Sequence, residues 1–114
     1  MANELTPGEV VDRQLHAYNE RNVEAYCALF AADALILKLN GNQELARGSD
    51  AIREYYTARF KSQRLFCRIK SRTELKNFVV DHEQVTGIGE GLLEVIAIYE
   101  VRDSLIRSIH ILWP

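Results

Sequence analysis

Two cysteines, Cys27 and Cys67, are all the thiols in this chain. They are too few for a disulfide framework, so a reduced protein held by its core is expected. The two prolines, Pro7 and Pro114, leave the long middle of the chain free of helix breakers. No apolar run approaches the ~20 residues of a membrane helix. Met1-Ala2-Asn3-Glu4-Leu5-Thr6-Pro7 lacks a basic segment followed by an apolar one, so no signal peptide is expected. An excess of one charge is missing too. Fourteen Lys and Arg against sixteen Asp and Glu leave a net charge of −2, which argues against nucleic acid as the main partner. Nucleophile elbow, phosphate loop and dinucleotide fingerprint are all absent. His16, His82 and His110 show no paired spacing of the kind a zinc site uses. No metal and no cofactor is implied. A cytoplasmic, single-domain protein of 114 residues remains, and its 47% hydrophobic content suffices for a core without staples.

Thr6-Pro7-Gly8-Glu9 predicts a helix start, with Thr6 as cap, Pro7 in the first turn and Glu9 closing a capping box. Val11, Leu15 and Tyr18 continue it at helical spacing. Asn22 is a cap for a second short helix carrying Val23, Tyr26, Cys27 and Phe30. Ala34 to Leu39 predicts a buried strand, stopped by the hairpin signal Asn40-Gly41-Asn42 and returned over Gln43 to Arg47. Ser49 is the expected cap of a third helix with Ile52, Tyr55, Tyr56 and Phe60 on one face. From residue 64 the period becomes two. Strands are predicted from Leu65, over Phe78 to Thr86, over Leu92 to Val101, and over Leu105 to Trp113. Helices first and long antiparallel strands last is an α+β pattern, with helices on one face of the sheet.

The two final strands are apolar on both faces. Leu93, Val95, Ala97 and Tyr99 share one face; Glu94, Ile96, Ile98 and Glu100 share the other. Ile109, Ile111 and Trp113 oppose His110 and Leu112. A sheet with one wet face would alternate more cleanly. No helix is left to cover the second face, so a homodimer through it is expected.

Four segments carry a family resemblance. They are Tyr18-Asn19-Glu20-Arg21-Asn22-Val23-Glu24-Ala25, Leu29-Phe30-Ala31-Ala32-Asp33-Ala34, Arg47-Gly48-Ser49-Asp50-Ala51-Ile52-Arg53-Glu54-Tyr55-Tyr56, and Ala97-Ile98-Tyr99-Glu100-Val101-Arg102-Asp103-Ser104-Leu105-Ile106. In this order they resemble the nuclear-transport-factor-2-like, or SnoaL-like, superfamily. The resemblance implies a cone: N-terminal helices packed on a strongly curved, mostly antiparallel sheet, a cystatin-like α+β barrel. It also implies a pocket lined by Gln14, Tyr18, Phe30, Ile36, Lys38, Tyr56, Val80, His82, Val95, Ala97, Ile109, Ile111 and Trp113. The superfamily includes ketosteroid isomerases, polyketide cyclases, dehydratases, epoxide hydrolases and noncatalytic modules, so the fold does not choose the reaction. In the isomerases an aspartate on the first strand moves the proton; Lys38 stands there. Their oxyanion donors, a tyrosine on the first helix and an aspartic acid on a late strand, are matched by Gln14 and Ala97. The acid–base set of that enzyme is therefore missing. The cyclases use an acid on a late strand, and the parity turns Glu94 outward.

Lys38 and His82 are then the candidate proton carriers. Lys38 interrupts the apolar run Leu35-Ile36-Leu37-Lys38-Leu39; turned inward it is a base, an amine nucleophile or a cation for a carboxylate, and turned outward it snorkels to water. His82, if it shares an inward face with Val80 and Gln84, could act near neutral pH, or sit as a satisfied rim histidine. Tyr18 and Tyr56 are candidate donors to a ligand carbonyl, and Trp113 is a candidate wall. Arg53, Arg59, Lys61, Arg64, Arg68, Lys70, Arg72 and Lys76 crowd one stretch, read as a solvated edge strand or as an attractor of anions. Three readings stay open: a cofactor-free isomerase, cyclase or dehydratase acting on a small apolar or weakly anionic carbonyl compound; a noncatalytic binding domain; and a dimeric interaction domain with a filled core.

Overall fold

A computed structural model describes residues 4–114; Met1–Asn3, which enter the signal-peptide expectation, lie outside the described residues. Helix α1, Pro7–Asn19, starts at the expected capping box. Thr6 Oγ1 accepts from the Glu9 amide at 3.2 Å, and Glu9 Oε1 accepts from the Thr6 amide at 2.9 Å. Helix α2, Val23–Cys27, is capped by Asn22, whose Oδ1 accepts from the Ala25 amide at 3.1 Å. Phe30, expected in this helix, instead opens strand β1, Phe30–Lys38. The Ile106 amide donates to the Leu29 carbonyl at 2.8 Å, and this long-range ladder overrides the local helical spacing.

Strand β2, Gln43–Arg47, returns through the expected hairpin, with Gly41 and Asn42 at positive φ. Helix α3, Ser49–Arg59, is capped by Gly48 rather than Ser49 and has no side-chain cap bond. Gly48 sits at φ 86°, so the chain turns one residue earlier than the serine suggested. Strands β3 (Phe66–Leu75), β4 (Phe78–Thr86), β5 (Leu92–Arg102) and β6 (Leu105–Leu112) follow.

The six strands form one curved mixed sheet in the order β2-β1-β6-β5-β4-β3. Only the β1–β6 pairing is parallel. Register shifts at Ile36/Leu37, Ile69/Ser71 and Glu100/Val101 bend it around the helices, as bulges do. The helices meet the concave face through an aromatic cluster: Tyr26 lies 4.4 Å from Tyr56, 5.1 Å from Phe30 and 5.3 Å from Phe60, ring centre to ring centre. The fold is thus α+β, three helices on a curved sheet. No helix among the described residues is long and apolar enough to cross a membrane.

One strand runs with the opposite parity to that expected. In β4 the buried residues are Val79, Asp81, Glu83 and Val85, so Val80, His82 and Gln84 face outward. Val79 and Val80 are equally apolar and give no parity signal. Asp81 and Glu83 look like solvent residues until their partners from other elements are counted. The outer face carries Phe66, Phe78, Val80, Leu92, Ile96, Ile98 and Leu112, with no layer over it among the described residues.

Candidate functional site

Between the helices and the concave face lies a cavity of about 40 Å³. Helix α1 supplies Gln14, Leu15 and Tyr18, α2 supplies Tyr26, and α3 supplies Tyr56 and Arg59. The sheet supplies Cys67, Glu83, Val85, Val95, Ala97, Tyr99, Ile109 and Ile111, and Ile88 and Trp113 stand at the rim. A water needs ~10–15 Å³ by this measure, so the cavity has room for a few atoms only.

Its floor is a polar network. Glu83 is 7% exposed and Tyr99 3%. Tyr99 Oη donates to Glu83 Oε2 at 3.0 Å and lies 3.4 Å from Gln14 Oε1. Gln14 Nε2 donates to Tyr26 Oη at 3.2 Å, and the Tyr26 ring packs against that of Tyr56. A phenol has one proton to give. With Glu83 ionised, Tyr99 gives it to the carboxylate; with Glu83 protonated, Tyr99 can turn to Gln14. Both states of Glu83 therefore find partners. Burial is the main influence on Glu83 and pushes its carboxyl up to about 7, against the opposing hydrogen bond from Tyr99. Burial also raises the Cys67 thiol beside it, so Cys67 is no thiolate nucleophile here.

Asp81, wholly buried two residues away, does different work. Its carboxylate takes two hydrogen bonds from Arg72, at 2.6 and 2.9 Å, and Arg72 also reaches Asp12 of α1 at 2.7 Å. These bonds hold the Arg72 guanidinium firmly protonated. The triad clips α1 to the edge of the sheet and does not enter the cavity lining.

At the rim, Arg59 donates to Tyr55 Oη at 2.9 Å and lies beside Tyr18. Its guanidinium lies 5.3 Å from the centre of the Tyr55 ring and 5.7 Å from that of Trp113. Burial pushes the Tyr18 phenol up to about 12, so it stays a neutral donor. Trp113 is clasped by Asn40: Nδ2 donates to the Trp113 carbonyl at 2.6 Å, and Oδ1 accepts from its amide at 3.4 Å.

Residues 11–109 match the family of the SnoaL-like domain. The chain belongs to that family. The SnoaL-like fold is seen again in solved structures. A cystatin-fold protein from Novosphingobium aromaticivorans shares 18% identity, with 94% of this chain and 97% of that one aligned and a TM-score of 0.87. A candidate ketosteroid isomerase from Kribbella flavida shares 17%, over 99% and 82% of the two chains, with a TM-score of 0.79. A candidate polyketide cyclase from Sinorhizobium meliloti shares 18%, over 90% and 93%, with a TM-score of 0.79. Identities this low speak for the fold alone. No curated protein matches the chain.

Of the lining expected for a SnoaL-like domain, Gln14, Tyr18, Tyr56, Val95, Ala97, Ile109, Ile111 and Trp113 meet at the cavity. Phe30 and Ile36 are buried in the core but do not reach it. Lys38 stands outside the lining, its Nζ 5.9 Å from the Trp113 ring centre. Val80 and His82 lie on the outer face, where His82 Nε2 sits 2.6 Å from Glu94 Oε1. Glu94 is outward as expected, but an inward acid does exist, Glu83 on β4. The sequence reading missed Leu15, Tyr26, Arg59, Cys67, Glu83, Val85, Ile88 and Tyr99. Tyr99 already had the inward parity of Val95 and Ala97, a signal that could have found it. Among the described residues no three His, Cys, Asp or Glu side chains gather as a metal would need.

Proposed function

We propose that this SnoaL-like domain binds a small organic carbonyl compound and moves a proton on it without a cofactor, with Glu83 as the proton carrier. The observation that carries the reading is Glu83: a buried carboxyl on the cavity floor, titrating at about 7, hydrogen-bonded to Tyr99. A general base is most effective when its pKa is near the working pH. Glu83 would take a proton from the carbon beside the carbonyl, and the negative charge would collect on the carbonyl oxygen. Tyr18, a neutral phenol backed by Arg59, is the donor suited to that oxygen. Return of the proton from Glu83 to another carbon completes an isomerisation with no oxidant or reductant. Lys38 and His82, the carriers favoured by sequence, have no part in this reading.

The test needs no known substrate. A panel of small ketones is incubated with the protein in deuterated water, and loss of α-hydrogen signal is followed by proton NMR. Exchange that rises with pH through about 7 and vanishes in Glu83→Gln supports the reading; exchange unchanged in that variant overturns it. The small cavity favours a second reading, a noncatalytic binding domain. Saturable binding with no exchange at any pH would select it.

We further propose that two copies associate through the outer sheet face. The support is its apolar content, with Phe66, Leu92 and Leu112 each close to half exposed.

A further inference from the structure

We propose that the cavity selects an organic anion, a short carboxylic acid whose carboxylate seats on Arg59 at the rim and whose apolar body points inward. This rests on the small-molecule reading above, but not on Glu83 as the base.

Arg59 is half-buried, lines the cavity and pairs with no carboxylate among the described residues. Arg47, Arg53, Arg72, Arg102 and Arg107 all do. Its neighbours are two phenols and an indole, which hold a guanidinium in place without neutralising it. A planar fork fixed in this way keeps donors for a second, bidentate acceptor, and carboxylate is the chemistry that fits. Lys38, also close to the rim residue Trp113, likewise lacks a carboxylate partner among the described residues and adds positive potential. The deeper wall is apolar, with Val95, Ala97 and Ile109. Glu83, the acid in the lining, lies at the buried end, so the rim at Arg59 is where the cavity offers a cation. The volume of about 40 Å³ limits the body to a few carbon atoms unless Ile88 and Trp113 give way.

The probes are butanoate and its neutral counterpart butanamide. Trp113 is the only tryptophan, so its indole N–H is a single resolved NMR reporter at the rim. Titrations run at about pH 6, where Glu83 holds its proton and butanoate is ionised. Butanoate is expected to shift the indole signal to saturation and to bind at least about tenfold more tightly than the amide, the effect of one hydrogen bond to a charged group. Arg59→Gln should erase that preference and Arg59→Lys should keep part of it, each with an unchanged fold by circular dichroism. Equal affinity for acid and amide, a preference that survives Arg59→Gln, or no binding of either overturns the proposal. Butanoate bound by Glu83→Gln as by the wild type, with no ketone exchange in either, would leave anion selection standing and sink the proton-carrier reading. Glu83-dependent exchange with acid and amide bound alike would do the reverse.

Discussion

Glu83 and Asp81 are both buried acids on one strand, yet they are held by different partners. Glu83 is held well above its ordinary value, to about 7 from 4.5, so the folded protein binds its proton more tightly than the unfolded chain does. Its contribution is therefore complete below pH ~4.5, falls away as pH rises to ~7 and is flat beyond, a loss of about 3 kcal/mol. Glu83→Gln should raise Tm by at least about 5 °C at pH 8 and hardly at all at pH 5, as scanning calorimetry at the two values would show. Asp81 is held instead by two hydrogen bonds from Arg72. Asp81→Ala strands a largely buried Arg72 and should cost about 3 kcal/mol in urea denaturation, softened where Asp12 takes over the guanidinium. Neither acid was legible as buried. Their partners come from β3 and β5, and only the folded chain brings Arg72 and Tyr99 to Asp81 and Glu83.

The elements were far easier to read, because their signals are local. The α1 capping box sits at the residues where sequence put it, and Thr6→Ala should lower stability by about 1 kcal/mol. The strands from β3 onward match their alternation to within a residue or two. The exceptions are places where distant pairing decides. Phe30 keeps helical spacing with Tyr26, but the ladder to Ile106 claims it. In β4 two adjacent valines leave the parity open. The Gly87-Ile88-Gly89-Glu90-Gly91 turn carries Ile88 to the cavity rim and depends on Gly87 at φ 91°. A Cβ there would run into the backbone of Arg64 and Leu65. Gly87→Ala should therefore cost more than ~1 kcal/mol and disturb ligand entry, measurable as a fall in Tm together with altered butanoate affinity.

At the scale of the whole molecule, the four ordered motifs carried the architecture, and the apolar parity of β5 and β6 carried the idea of a covered outer face. Ile98→Asp, placed on that face, should convert a dimer to a monomer in light scattering while the Trp113 signal and butanoate binding persist. A wild-type protein that is monomeric at all concentrations would remove the dimer from consideration. The site was half legible: its apolar wall follows from strand parity, whereas its charges, Glu83 and Arg59, emerge only in three dimensions.

The strand order has a consequence for how the molecule comes into being. Strand β6 is the last strand in the chain, yet it lies between β1 and β5 and joins the two halves of the sheet. During synthesis, β3, β4 and β5 can form a meander while β1 and β2 form a hairpin, but no strand pairing joins one to the other. The seam closes only after residues 105–112 leave the ribosome, across a loop of some seventy residues. A nascent chain stalled before that point should hold both pieces open, with their apolar inner faces available to chaperones, and acquire protease resistance in one late step.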